Sequence, residues 1–228
     1  MGVGVCTPRG VVGLPKTRAA LEYARILHRG QVRKVDGAPF LVHPREVAGI
    51  LHGGGAPDHL IAAGALHDVI EKTPATAFDL RKRFGSGIAS LVLAVSEDER
   101  IAGYAERKAA LRDQVAAAGE EALMLFAADK ISKARELRLK PLRGAGITKS
   151  DRRRRLAHYR RSLTLLREQL PGSPLVEQFA DELSELSQGP SADSRAAAAV
   201  VRGCEPRGRT GRSSVALASG DGARHRTT

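Results

Sequence analysis

Ile61-Ala-Ala-Gly-Ala-Leu-His67-Asp68-Val-Ile-Glu71-Lys72 is a run of small and apolar residues broken by an adjacent His-Asp pair. Its length and composition are those of a buried helix. An imidazole and a carboxylate in such a place carry a large desolvation penalty unless each finds a partner. A bound cation would satisfy both, so the remaining ligands are sought elsewhere in the chain.

Around this stretch the pattern is helical throughout. A first helix is expected from Thr17, read as its N-cap, carrying Ala20, Leu21, Ala24, Ile26 and Leu27 inward and stopping at Gly30. Gln31 to Phe40 contains Asp36-Gly37 and Pro39 and reads as a turn-rich loop with two adjacent cations, Arg33 and Lys34. Pro44 suits the first position of the next helix, which places His43 at its mouth. Pro57-Asp58 opens the His-Asp helix and Thr73-Pro74 closes it. Thr76-x-x-Asp79 is a capping box ahead of a short helix ending at Phe84-Gly85. Further helices are expected over Ile88–Val95, Tyr104–Ala117, Gly119 to about Leu139, Lys149–Leu170 and Pro174–Leu186. No strand-type alternation, repeat or heptad seam competes with this reading. The expected architecture is a single all-α bundle over residues 16–187, with a flexible segment 1–15 and a disordered, basic Gly/Ser/Ala/Arg-rich tail 188–228.

Composition excludes several classes. The chain has 228 residues, 4% aromatics and no Trp, which argues against a β-sandwich. Cys6 and Cys204 are too few and too isolated for a disulfide framework or a zinc cluster. Neither a signal peptide nor a membrane-spanning run is present, so a cytoplasmic protein without membrane contact is expected. The net charge of +12 sits largely in Arg152–Arg155, Arg160, Arg161 and the tail arginines. No aromatic interleaves with the tail arginines as a stacking platform requires, so nucleic acid is expected only through nonspecific attraction.

His43, His67, Asp68 and Asp129 share one character: each lies on or beside an apolar element. Two imidazoles and two carboxylates suit a borderline-to-hard divalent cation, which can acidify a bound water and polarise a phosphoryl oxygen. Taken singly, each His also reads as a satisfied core histidine or a cap. Each Asp also reads as half of a buried salt bridge to Lys130 or Arg33.

In this order and setting, the four residues resemble the HD superfamily of metal-dependent phosphohydrolases. Gln31-x-Arg33-Lys34, Gly37-x-Pro39-Phe40, His43-Pro44, Ala65-Leu66-His67-Asp68-Val69-Ile70-Glu71, Phe84-Gly85 and Ala127-Ala128-Asp129-Lys130 are similar to the hydrolase domain of RelA/SpoT-type proteins and to the small stand-alone ppGpp hydrolases. The resemblance spans roughly residues 17–170. It implies an HD-type helical bundle and manganese held by His43, His67, Asp68 and Asp129. The implied activity removes pyrophosphate or phosphate from a guanosine (p)ppGpp-like nucleotide by attack of a metal-bound water. Glu71 would manage the proton, with Lys72 beside it in the catalytic group. Arg33, Lys34, Lys130, Arg155 and Tyr159 would meet the nucleotide. With no synthetase half after the hydrolase-like region, a bifunctional long architecture is not expected.

Two positions depart from the family pattern. Lys72 stands where an Asp usually follows the Glu, and Lys133 stands where Asn is common. Both add a cation near the presumed pocket, and Lys72 would pair with Glu71 or grip a substrate phosphate. Lys72 also keeps open an alternative, a non-catalytic HD module that binds or senses an alarmone-like nucleotide.

Overall fold

The computed structural model describes residues 14–34, 36–139 and 147–188. They form helices α1 (Pro15–Leu27), α2 (Val42–Gly53), α3 (Asp58–Leu66), α4 (Val69–Lys72), α5 (Ala77–Phe84), α6 (Ser86–Val95), α7 (Tyr104–Ala118), α8 (Glu120–Leu139), α9 (Lys149–Gln169) and α10 (Pro174–Gln188). Among the described residues the only β-type pairing is an isolated antiparallel bridge, Val32 with Pro39. The expectations for residues 1–13 and 189–228, including both cysteines and the tail arginines, lie outside the described residues. No helix among them is long and apolar enough to cross a membrane.

The centre of the bundle is α3, every residue of which from Leu60 to Leu66 is buried. It packs against α1, α2, α6 and α8. Burying Leu60, Ile61 and Leu66 contributes on the order of 1.5–3 kcal/mol each. Close approach of α2 requires Gly64, where a Cβ would fall 2.6 Å from Leu51 Cδ1. The second spine is α8, buried from Leu125 to Ser132 and packed on α2, α7 and α10. These two spines place His67-Asp68 opposite Asp129.

Several elements differ in detail from the sequence reading. α1 starts at Pro15, two residues early, because its first turn is capped from another helix. Asp58, at the start of α3, accepts hydrogen bonds from the Lys16 and Thr17 amides at 3.0 and 2.9 Å and from the Thr17 hydroxyl at 2.7 Å. Ile26 is 51% exposed, not inward. It falls off the Ala20–Ala24–Leu27 stripe that a 3.6-residue period defines. α2 begins at Val42, so Pro44 is its third residue and His43 lies within the first turn. Pro44 costs nothing there, since first-turn amides lack intrahelical partners in any case. The capping box forms as expected: the Thr76 amide donates to Asp79 at 2.8 Å, and the Asp79 amide donates to Thr76 Oγ1 at 3.3 Å.

The difference that matters most is a break in the expected His-Asp helix at His67-Asp68, between α3 and α4. His67 Nδ1 bonds the Gly64 carbonyl at 2.8 Å. That side chain occupies an acceptor the helical ladder would use, so helix and side chain compete for it. The loosened turn holds the imidazole rigidly against its own helix.

Candidate metal centre

Four helical segments deliver the four polar residues singled out in the sequence. His43 comes from the first turn of α2, His67 and Asp68 from the α3–α4 junction, and Asp129 from the middle of α8. All four are buried, between 2% and 4% exposed. His43 Nε2 and His67 Nε2 are 3.1 Å apart. Asp129 Oδ1 lies 3.2 Å from the first nitrogen and 3.4 Å from the second. Asp68 Oδ2 lies 3.5 and 3.4 Å from the same two atoms.

The hydrogen bonds behind the rings fix what those atoms are. His67 Nδ1 can only donate to the Gly64 carbonyl, so in the neutral ring Nε2 carries the lone pair. His43 Nδ1 lies 2.8 Å from Ser132 Oγ, whose own proton goes to Glu46 Oε2 at 2.8 Å. Ser132 therefore accepts from Nδ1–H, and His43 Nε2 is a second lone pair. Asp68 Oδ2 is buried and has no hydrogen-bond partner among the described residues, and Asp129 Oδ1, also buried, meets the Lys133 ammonium at 2.9 Å besides the two imidazoles. With both rings neutral, two nitrogen lone pairs and two carboxylate oxygens thus converge, with the Lys133 ammonium reaching them from the side. A cation satisfies this arrangement, and the donor set fits a divalent metal ion. The separations of 3.1–3.5 Å also match donors held at about 2.0–2.2 Å from one ion, which stand about 3 Å apart when at right angles.

The salt-bridge alternative for Asp129 is present but accounts for only part of it. Lys130 Nζ lies 2.7 Å from Oδ2, over the Phe126 ring at 4.3 Å from its centroid. Lys133 Nζ reaches Oδ2 at 3.0 Å and Oδ1 at 2.9 Å, with its side chain one-third exposed. Oδ1 nevertheless still faces both imidazoles. Burial opposes ionisation of both aspartates. The cations around them outweigh it and hold both carboxyls below 3.8: His67, Lys133 and His43 beside Asp68, and Lys130 and Lys133 beside Asp129. Burial likewise presses on the His67 proton, but Asp68 and Asp129 raise its pKa overall. Burial lowers the Lys130 ammonium to about 8, partly offset by Asp129.

Support extends outward from His43. Glu46 Oε1 receives Arg135 at 3.3 Å, and Arg135 bonds Glu182 of α10 at 2.6 Å. Such outer partners orient ligating imidazoles. Neither Ser132 nor Glu46 was singled out in the sequence.

The other expected site residues fall in four places. Glu71 Oε1 accepts the Glu97 amide at 2.7 Å, which anchors its carboxylate. Lys72 is exposed and keeps a loose 3.7 Å contact with Glu71 Oε2. Arg33 is committed to Asp36 in a two-pronged pair rather than to Asp68, while Lys34 is exposed on the same loop. That loop is tied to α4 through Gln31, which donates to the Lys72 carbonyl at 2.9 Å. Lys130 is sealed against Asp129, so the structure places it behind a candidate ligand rather than on an open surface. Arg155 is exposed, and Tyr159 is 3% exposed with its ring against Phe179.

The HD domain family model matches residues 20–158, which contain all four convergent residues. The chain belongs to the HD domain family. This HD domain is 33% identical over 150 residues to the bifunctional (p)ppGpp synthase/hydrolase SpoT of Escherichia coli K12, covering 63% of the chain and 20% of that protein. It is 46% identical over 80 residues to a GTP pyrophosphokinase of Myxococcus xanthus, covering 35% of the chain and 10% of the relative. The chain therefore spans a fifth or less of the length of these curated relatives. A solved structure of a metazoan ortholog of SpoT, described as hydrolysing ppGpp, superposes with a TM-score of 0.65 at 28% identity. That match covers 74% of this chain and 93% of the other.

Proposed function

We propose that this HD domain is a manganese-dependent phosphohydrolase that removes the 3′-diphosphate from a guanosine 3′,5′-bis(diphosphate)-like nucleotide. The observation that carries the reading is the convergence of four candidate ligand atoms, His43 Nε2, His67 Nε2, Asp68 Oδ2 and Asp129 Oδ1, backed by Nδ1–H bonds that orient both rings. The metazoan SpoT ortholog, matched over nearly its whole length, supports the substrate class.

These four residues would hold the ion; two nitrogen and two oxygen donors suit a borderline-to-hard divalent cation, for which manganese is proposed from the family resemblance. When bound, the ion supplies an acidified water and polarisation of a phosphoryl oxygen. Glu71, held by the Glu97 amide, would take a proton from the attacking water. Water oxygen bonds to phosphorus, the bond from phosphorus to the ribose oxygen breaks, that oxygen takes up a proton and pyrophosphate leaves. Lys133 is the cation reaching nearest to the donors while one-third exposed, and it would meet the phosphates beside Asp129. Arg155, Lys34 and the hydroxyl of Tyr159 are proposed further along the nucleotide. Arg33 would join them by giving up Asp36.

The test is incubation of the full chain and manganese with guanosine 3′,5′-bis(diphosphate), following pyrophosphate release. Turnover that Asp68→Ala abolishes is expected. Binding of the nucleotide without turnover in the manganese-loaded protein would overturn the enzymatic reading in favour of a sensing module.

A further inference from the structure

A groove lies between α7 and α9. It has a volume of about 390 Å³ and is lined by Tyr104, Lys108 and Arg112 from α7 and Arg154, His158 and Arg161 from α9, with two alanines between them. Four of these residues are cations and none is acidic. Lys108 is satisfied by Glu97 and Arg154 by Asp151. Arg112 and Arg161 form no ion pair with a carboxylate among the described residues. Both residues line the same groove.

The groove also has an aromatic end. Lys108 Nζ and the Arg154 guanidinium each lie 5.5 Å from the Tyr104 ring centroid. Tyr104 thus neighbours Arg154 while Arg112 neighbours His158, so the groove runs from a ring-bearing end to one with unneutralised guanidinium charge. His158 is a second, independent sign of a built site. It is 5% exposed, its Nδ1 accepts Arg112 Nη1 at 3.1 Å, and its buried Nε2 has no partner. A neutral imidazole therefore pins Arg112 in place where a carboxylate would have cancelled its charge.

We propose that this groove binds a nucleoside diphosphate or triphosphate, with the phosphates on Arg112 and Arg161 and the ring toward Tyr104. Guanidinium groups match phosphate oxygens in pairs, and the volume falls within the range of small-molecule sites, roughly 300–1,000 Å³. The site is separate from the four-donor centre. Lys108 reaches the other region through Glu97, whose amide holds Glu71, and His158 packs on Phe126, whose ring carries the Lys130 ammonium beside Asp129. Lys108 is therefore left unaltered in the test.

The full chain with manganese is titrated calorimetrically with GDP, ADP and pyrophosphate; GDP and pyrophosphate are also the products of the proposed hydrolysis, so the His43→Ala protein is titrated with all three alongside. GDP or ADP binds, Arg161→Gln weakens that binding at least tenfold, and His43→Ala leaves it within twofold. Equal affinity for the two nucleotides marks a general nucleotide site, and preference for GDP marks one tuned to guanosine. Arg161 is exposed, so its replacement keeps the fold, which a melting curve verifies. Arg112→Gln should act in the same direction. The proposal is overturned if neither nucleotide binds at millimolar concentration, if pyrophosphate alone binds, or if His43→Ala removes binding that Arg161→Gln spares. Because no turnover is read, failure of the hydrolase reading leaves this test intact.

Discussion

Ser132→Ala removes one oxygen atom, 89 positions from His43 in sequence, and should disarm the metal centre without touching a ligand. Ser132 Oγ accepts His43 Nδ1–H at 2.8 Å and passes its own proton to Glu46. Without it, a buried N–H loses its acceptor, at a cost of about 1–3 kcal/mol. For a domain of this size, about 1–3 kcal/mol corresponds to a fall of about 2–12 °C in Tm. The more specific effect is on tautomer. His43 is then free to carry its proton on Nε2, the atom 3.1 Å from His67 Nε2 and 3.2 Å from Asp129 Oδ1. Loss of an outer-shell partner costs about 10- to 100-fold in metal affinity, which is about 1.4–2.8 kcal/mol. Competition for manganese against a chelating dye measures this, with differential scanning fluorimetry for stability. An affinity equal to that of the unaltered protein would show that Ser132 does not set the His43 proton, and the lone-pair argument would fail at that ring.

Three further outcomes follow from the same geometry. Gly64→Ala places a Cβ 2.6 Å from Leu51 Cδ1 and 3.4 Å from Val47 Cγ1, so α2 and α3 must part. A loss of about 1–3 kcal/mol is expected, read by denaturant unfolding, and a stable variant with full manganese affinity would contradict it. In the metal-free protein the pKa of His67 is raised above 6.5 by Asp68 and Asp129 against burial. The stability its proton contributes is complete below pH 6.5 and is lost as pH rises through the raised value. Manganese replaces that proton, so the Tm gap between manganese-loaded and EDTA-treated protein should widen from pH 6 to 8; parallel curves would refute this. Glu71→Gln keeps an oxygen for the Glu97 amide, so manganese binding should be unchanged while kcat on guanosine 3′,5′-bis(diphosphate) falls about 100- to 10,000-fold.

How far the site could be read beforehand depends on what each residue interrupts. His67-Asp68 and Asp129 break apolar runs, and that contradiction with local burial is visible in one dimension. His43 is marked by Pro44 beside it. The helices themselves are legible because Pro, Gly and the Thr76-x-x-Asp79 box punctuate them. The break at His67 is not visible, because it arises when the ring bonds Gly64, a choice between side chain and backbone that composition leaves open. Ser132 and Glu46 are ordinary polar residues on their own helices, and only the packing of α2 on α8 gives them a role. The same holds for the cations. Lys72, conspicuous as a departure, is exposed beside Glu71, whereas Lys133 reaches both oxygens of Asp129. The Arg-rich stretch of α9 reads as a solvated face until α7 is set against it.

The central claim is that His43, His67, Asp68 and Asp129 together hold one divalent ion. It is tested most directly by titrating the metal-stripped full chain with manganese and counting bound ions by electron paramagnetic resonance. One ion per chain is expected, lost in both His67→Ala and Asp129→Asn. An unaltered protein that binds none, or variants that bind as it does, would contradict the account.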